Sequence, residues 1–260
     1  KSIHPRLPER PSTRLRIMPR LLYRIISACC LCLPLPSLAA ESLDESALMV
    51  VTSADGHANV RTRPSTTAPV SARLPTATVL FRNDAEFNTT AHDTWYPVVF
   101  AQDAWCRGCD DTWTNTDSGH ARRGWIHRSQ LTELAKLPAA PNSFAIHYQT
   151  RPFNRQQAGL TWSSDRSHVQ QRNRQPVFGG DCGMPTADIT AAHAQLNGQR
   201  FTLPTALLDS LHGAGSRFDY RRYQQHYFAA QQHGDGACTH YLVWVFNQNG
   251  LQQRFIGHIY

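Results

Sequence analysis

The sequence predicts a mainly β protein: a small barrel, then a small α+β domain that closes in an antiparallel meander. Three observations carry this. Short apolar runs recur from Ala47 to Leu134, broken by turn residues and free of helical period. Tyr241-Leu-Val-Trp-Val-Phe246 is the strongest strand signal in the chain, and Asn247-Gln-Asn-Gly250 after it is a hairpin signal. Just upstream, Leu207, Leu208 and Leu211 stand at helical spacing.

The order along the chain is a leader over 1–40, the barrel over 46–135, a Pro/Gln/Arg-rich linker over 136–176 and the α+β domain over 177–260. In the leader, Met18 to Arg24 is a basic n-region and Ile25 to Leu35 an apolar h-region. Ser37-Leu38-Ala39 then offers small residues to a signal peptidase, which places the mature N-terminus at Ala40 or Glu41. The apolar run falls short of the roughly 20 residues a bilayer needs, so no transmembrane anchor is expected after cleavage. Residues 1–17 are Pro- and Arg-rich, and Met18 reads as the natural start. Ile26-Ser27-Ala28-Cys29 resembles a lipoprotein box, but Arg24 leaves a run of only four residues before that cysteine.

The net charge of +7 suggests an anionic partner until it is located. The leader holds seven of the 26 Lys and Arg and one of the 19 acids. Residues 41–260 therefore carry about +1, and a nucleic-acid partner loses its support. A periplasmic or secreted location also fits the cysteines. Cys106, Cys109, Cys182 and Cys238 survive the leader, and an even number in an oxidising compartment reads as two disulfides. Three pairings are open. The simplest joins Cys106 to Cys109 and Cys182 to Cys238, the latter closing a loop worth about 4 kcal/mol.

In the first region Leu48–Val51, Ala77–Phe81, Trp95–Phe100 and Gly124–His127 read as strands. In the linker only Ser143 to Gln149 alternates like a strand. Five Arg and one Asp lie between Arg151 and Arg174, read as a solvated connector. Beyond it, Gln199–Leu203 reads as a strand and Pro204–Leu211 as a short helix, Pro204 in its first turn and Gly213 as its cap. Arg217 to Phe228 alternates loosely, and Leu251 to Tyr260 returns as the partner of the Tyr241–Phe246 strand.

Ala58-Asn59-Val60-Arg61, Pro64-Ser65, the pair Val70 and Leu74, Trp95-Tyr96-Pro97-Val98 and Gly124-Trp125-Ile126 with Leu131 follow in order over about 80 residues. This stretch, about 51–131, resembles the bacterial SH3-like (SH3b) domain family. The resemblance implies a small exported all-β barrel that binds cell-wall peptides or proteins and carries no catalytic residues or cofactor. Two features depart from the family: Pro75-Thr76-Ala77 stands where it has a turn glycine, and the segment from Phe100 to Gly124 is enlarged.

That enlarged segment holds the candidate binding residues Trp105, Arg107, Asp110, Asp111 and Trp113, with Cys106 and Cys109 as a clamp. Two Trp in a polar loop want either a partner or a fold-back onto the protein. Cys106-x-x-Cys109 lacks the βαβ setting of a redox pair. A zinc site would need four ligands, and His233, Cys238 and His240 lack a fourth. An enzymatic alternative rests on Gly180-Asp181-Cys182-Gly183. It resembles the nucleophile motif of NlpC-type cysteine peptidases, with His240 as base 58 residues on. Gly183 replaces the usual Ser, and Pro185 and Asp188 interrupt the expected helix. The functional expectation is thus a non-enzymatic envelope protein that binds peptidoglycan peptide or a protein partner, without metal or cofactor.

Overall fold

Strand β1 (Leu48–Val51) reads Leu-Met-Val-Val and is buried at every position, so both of its faces must be covered. It belongs to an antiparallel sheet with β2 (His57–Arg61), β3 (Val70–Pro75), β4 (Val79–Arg82), β5 (Trp95–Ala101), β6 (Ala121–His127) and β7 (Leu131–Glu133), in the order β3-β2-β6-β5-β4-β1-β7. The computed structural model describes residues 48–82, 94–105, 121–178, 183–212, 215, 217–233 and 240–257.

This sheet is strongly coiled. β3 and β4 stand four places apart in it, about 19 Å if it were flat. Thr76, Ala77 and Thr78 alone connect them, a reach of at most about 14 Å from Pro75 to Val79. Ala77 makes the turn with φ at 69°, the left-handed conformation that glycine favours, while its N–H donates to the Val51 carbonyl. Coiling brings Met49, Val51, Val60, Leu74, Leu80, Val98, Phe100, Ile126 and Leu131 into one inner cluster drawn from all seven strands.

The other face of β1, β4 and β5 supplies Leu48, Val50, Val79, Phe81 and Val99 to a second and larger core. Across that core lies the meander β14 (Asp219–Tyr223), β15 (His226–His233), β16 (His240–Asn247) and β17 (Gly250–Gly257). Phe255 and Tyr241 meet the edge of the Phe81 ring at 4.7 and 6.4 Å. Gln253 bonds to the main chain of β4, its Oε1 accepting from the Val79 N–H at 2.8 Å and its Nε2 donating to the Val79 carbonyl at 3.0 Å. The meander's opposite face packs on β8 (Phe144–Pro152), β12 (Ala187–Leu196) and β13 (Gln199–Thr202), a sheet in the order β13-β12-β8. There Phe144 touches Tyr227 and Phe246, and Trp244 Nε1 donates to the Tyr148 hydroxyl. β16 is therefore the middle of a three-layer stack, which explains a run of seven consecutive buried residues.

The protein is mainly β, as the sequence predicts, with the meander closed by a two-residue turn between Asn247 and Gly250. The expected helix over 204–211 is absent. Thr205–Leu207 form a single 3-10 segment, and a turn carries on to Ser210. Eight residues are too few to offset helix nucleation, and their far end is claimed elsewhere. Phe178 N donates to the Ser210 carbonyl and His212 N to the Phe178 carbonyl, which holds Leu211 and His212 in bridge pairing.

The stretch expected as a linker is ordered structure. Pro138 to Ala140 pair with β14: Ala140 N donates to the Tyr220 carbonyl, and Arg222 N donates to that of Pro138. Residues 144–152 form β8, and β9 (Leu160–Trp162), β10 (Val169–Arg172) and β11 (Gln175–Pro176) form a small sheet. The described residues belong to one compact unit with the large core shared between the first and last thirds of the chain. Among them no helix is long and apolar enough to cross a membrane.

Candidate functional site

The segment between β5 and β6 starts from a fixed root. Trp105 is half-buried against the large core, and its N–H donates to Asp103 Oδ1 at 2.7 Å. Arg254 on β17 holds the same two residues, its main-chain N–H donating to the Ala104 carbonyl and its Nε to the Trp105 carbonyl. Arg254 Nη1 reaches on to the Leu207 carbonyl and Ser210 Oγ, so one buried guanidinium ties the root to the 3-10 segment. Trp105 thus takes the fold-back that its residue type allowed. Arg107, Asp110, Asp111, Trp113, Cys106 and Cys109 lie outside the described residues, as do Cys182 and Cys238.

His240, the candidate base, opens β16 and is buried, with its ring edge-on to Phe178 at 5.3 Å. This contact brings together the segments that flank Gly180–Gly183 on one side and Cys238 on the other. A buried His at a strand end next to an aromatic is visible in the sequence only as Thr239-His240-Tyr241, with nothing to mark its neighbour.

A polar cluster that the sequence did not announce adjoins the main chain that pairs with Phe178. Asp188 on β12 is 1% exposed, and four side chains converge on it. Arg172 Nη1 donates to Oδ1 at 3.1 Å and Arg151 Nε to Oδ2 at 3.4 Å. Gln157 Nε2 reaches Oδ1 at 3.5 Å. His212 Nδ1 comes to 3.3 Å of Oδ1 without the alignment of a hydrogen bond, and the ring is fully buried against the edge of Phe153. Burial pushes the His212 imidazole down to about 4, against the upward pull of Asp188 and with Arg172 adding to the fall.

Asp188 beside a histidine has the outline of a base and its orienting carboxylate. Its setting is that of a clamp. Neither ring nitrogen of His212 hydrogen-bonds to a hydroxyl or thiol among the described residues. What the cluster does is join β8, β10, β12 and residues 211–212 through one carboxylate. Two of the five arginines that read as a solvated connector are its partners. The signal was Asp188 itself, an acid set within the run Ala187-Asp188-Ile189 of a buried strand.

Among the described residues no group of three or more His, Cys, Asp or Glu is placed to hold a metal ion. No protein-family model, curated protein or solved structure matches the chain.

Proposed function

We propose that this chain is an exported binding protein of the cell envelope. In this reading its coiled seven-stranded sheet is an SH3-like domain, and it recognises a peptidoglycan peptide or an envelope protein. The supporting observation is the anchored root at Ala104 and Trp105. The connection that carries Arg107, Asp110, Asp111 and Trp113 leaves β5 from a point that Arg254 fixes, and connections held at their ends by strands commonly carry binding residues. Trp113 is the natural anchor, because a stiff aromatic loses little entropy on contact.

Co-sedimentation of the purified chain with sacculi, and crosslinking to envelope proteins, test this. Trp113→Ala combined with Arg107→Ala should abolish capture while leaving the melting temperature unchanged. Undiminished capture by that variant would remove the connection from the site. Export rests on the leader, and N-terminal sequencing of the exported protein should begin at Ala40 or Glu41. A lipid on Cys29 would overturn that.

The contact between Phe178 and His240 favours a second reading, a cysteine hydrolase with Cys182 as nucleophile and His240 as base. The same approach of the two segments suits a Cys182–Cys238 disulfide. Counting free thiols in the native protein separates them, since a hydrolase requires Cys182 reduced.

A further inference from the structure

Strand β3 ends the order of the seven-stranded sheet and has β2 as its paired neighbour on one side. The Thr76 N–H donates to the Gly56 carbonyl and the Thr62 N–H to that of Pro69, which fixes the alternation on either side of the bulge at Ser71. Ala72 and Leu74 therefore turn their main-chain groups to β2, while Val70 and Arg73 turn N–H and carbonyl outward. Among the described residues no strand pairs with that edge. Val70 is 42% exposed, the one large apolar side chain so placed among the described residues.

The surround is cationic. Residues 57–75 and β6 contain Arg61, Arg63, Arg73, Arg122 and Arg123 and no acid. Arg61 and Arg73 leave the outer face beside their cross-strand partners Val70 and Asn59, opposite the inner Val60 and Leu74. Arg122 reaches the same strand, its Nη2 donating to the Ser71 carbonyl at 3.1 Å. Arg63, Arg73 and Arg122 are exposed. Among the described residues none of Arg61, Arg63, Arg73 and Arg122 has an ion-pair partner. The chain beyond its leader is nearly neutral, so this concentration of charge is local.

We propose that β3 takes up an extended acidic peptide as an added strand. The peptide's main chain pairs with Val70 and Arg73, an apolar side chain of it lies on Val70, and its carboxylates meet Arg63, Arg73 and Arg122. Outward N–H and carbonyl groups call for a partner with a main chain to offer, which a lipid headgroup or a nucleic acid lacks. A second copy of this chain is unsuited, because edge-to-edge pairing sets its arginines against these. The proposal does not rest on the residues assigned above to the connection between β5 and β6.

The test is fluorescence anisotropy with a labelled heptapeptide of alternating Glu and Val, blocked at both ends, titrated with the full chain. Arg63→Glu combined with Arg73→Glu should weaken binding about tenfold and leave the melting temperature unchanged. A heptapeptide of alternating Lys and Val should show the reverse, binding the double variant more tightly than the wild type. Methylating every amide nitrogen of the Glu–Val peptide should abolish binding, because strand pairing needs those donors. Binding that ignores the charge reversal, or a methylated peptide held as tightly as the plain one, would overturn the proposal. So would capture of phosphatidylglycerol vesicles by a wild-type chain that leaves the peptide unbound.

Discussion

The Tyr148 hydroxyl accepts a hydrogen bond from Trp244 Nε1 at 2.7 Å and donates one to Gln231 Oε1 at 3.3 Å. Gln231 Nε2 passes the chain on to the Gly215 and Arg217 carbonyls. Burial raises the phenol above its usual range, so it stays protonated and remains a donor. Tyr148→Phe keeps the ring but strands the indole N–H and the amide oxygen inside the core. Urea unfolding should show a loss of about 1–3 kcal/mol. His212 gives the second prediction at this scale. Its imidazole titrates near 4 in the folded protein and near its ordinary 6.5 in the unfolded chain. The unfolded state therefore takes up a proton first, and the contribution of His212 to stability is complete above pH 6.5 and lost as pH falls towards 4. Stability measured from pH 8 to pH 4 should decline over that window, and His212→Asn should flatten the decline.

Strands with apolar runs were legible because burial on both faces leaves its mark in composition: Leu48–Val51 and Tyr241–Phe246 are β1 and the centre of β16 almost to the residue. Elements defined by a partner far along the chain were not. Nothing within Pro204–Leu211 says that Phe178 will draw Leu211 and His212 into bridge pairing. Nothing within Pro138–Ala140 says that β14 offers an edge. The Asp188 cluster was hidden for the same reason, because its arginines are meaningful only beside a carboxylate that folding brings to them. Gln253 is the sharpest case, a polar residue in a strand that serves as a hydrogen-bonding partner for a strand of another sheet. Gln253→Ala leaves the buried N–H and carbonyl of Val79 without it. A loss of about 2–4 kcal/mol in denaturant titration is expected. No loss would mean that water replaces the side chain.

For the molecule as a whole, the composition divides the chain into thirds while the packing unites them. Leu48, Val50, Val79, Phe81 and Val99 face the meander, and removing the meander would expose them together. A fragment covering residues 46–135 should therefore aggregate or remain unfolded, by circular dichroism and gel filtration. The intact chain should melt in one calorimetric transition whose measured and van't Hoff enthalpies agree. Two separate transitions, or a soluble folded fragment, would show that the shared core is dispensable to the coiled sheet.

The bond between Val79 and Gln253 spans 174 residues of sequence, that between Thr52 and Tyr223 spans 171, and that between Trp105 and Arg254 spans 149. Such pairings close long loops before anything rewards the closure, and antiparallel topologies of this kind fold on the millisecond-to-second scale rather than faster. The first strands to leave the ribosome must wait, with both faces bare, for nearly the last ones. Shortening the chain to residue 249 removes β17, and with it Gln253, Arg254 and Phe255. A protein so truncated should stall as a collapsed, protease-sensitive chain however much of its coiled sheet has been made. The time for which the coiled sheet keeps a face bare is thereby set by the arrival of β17.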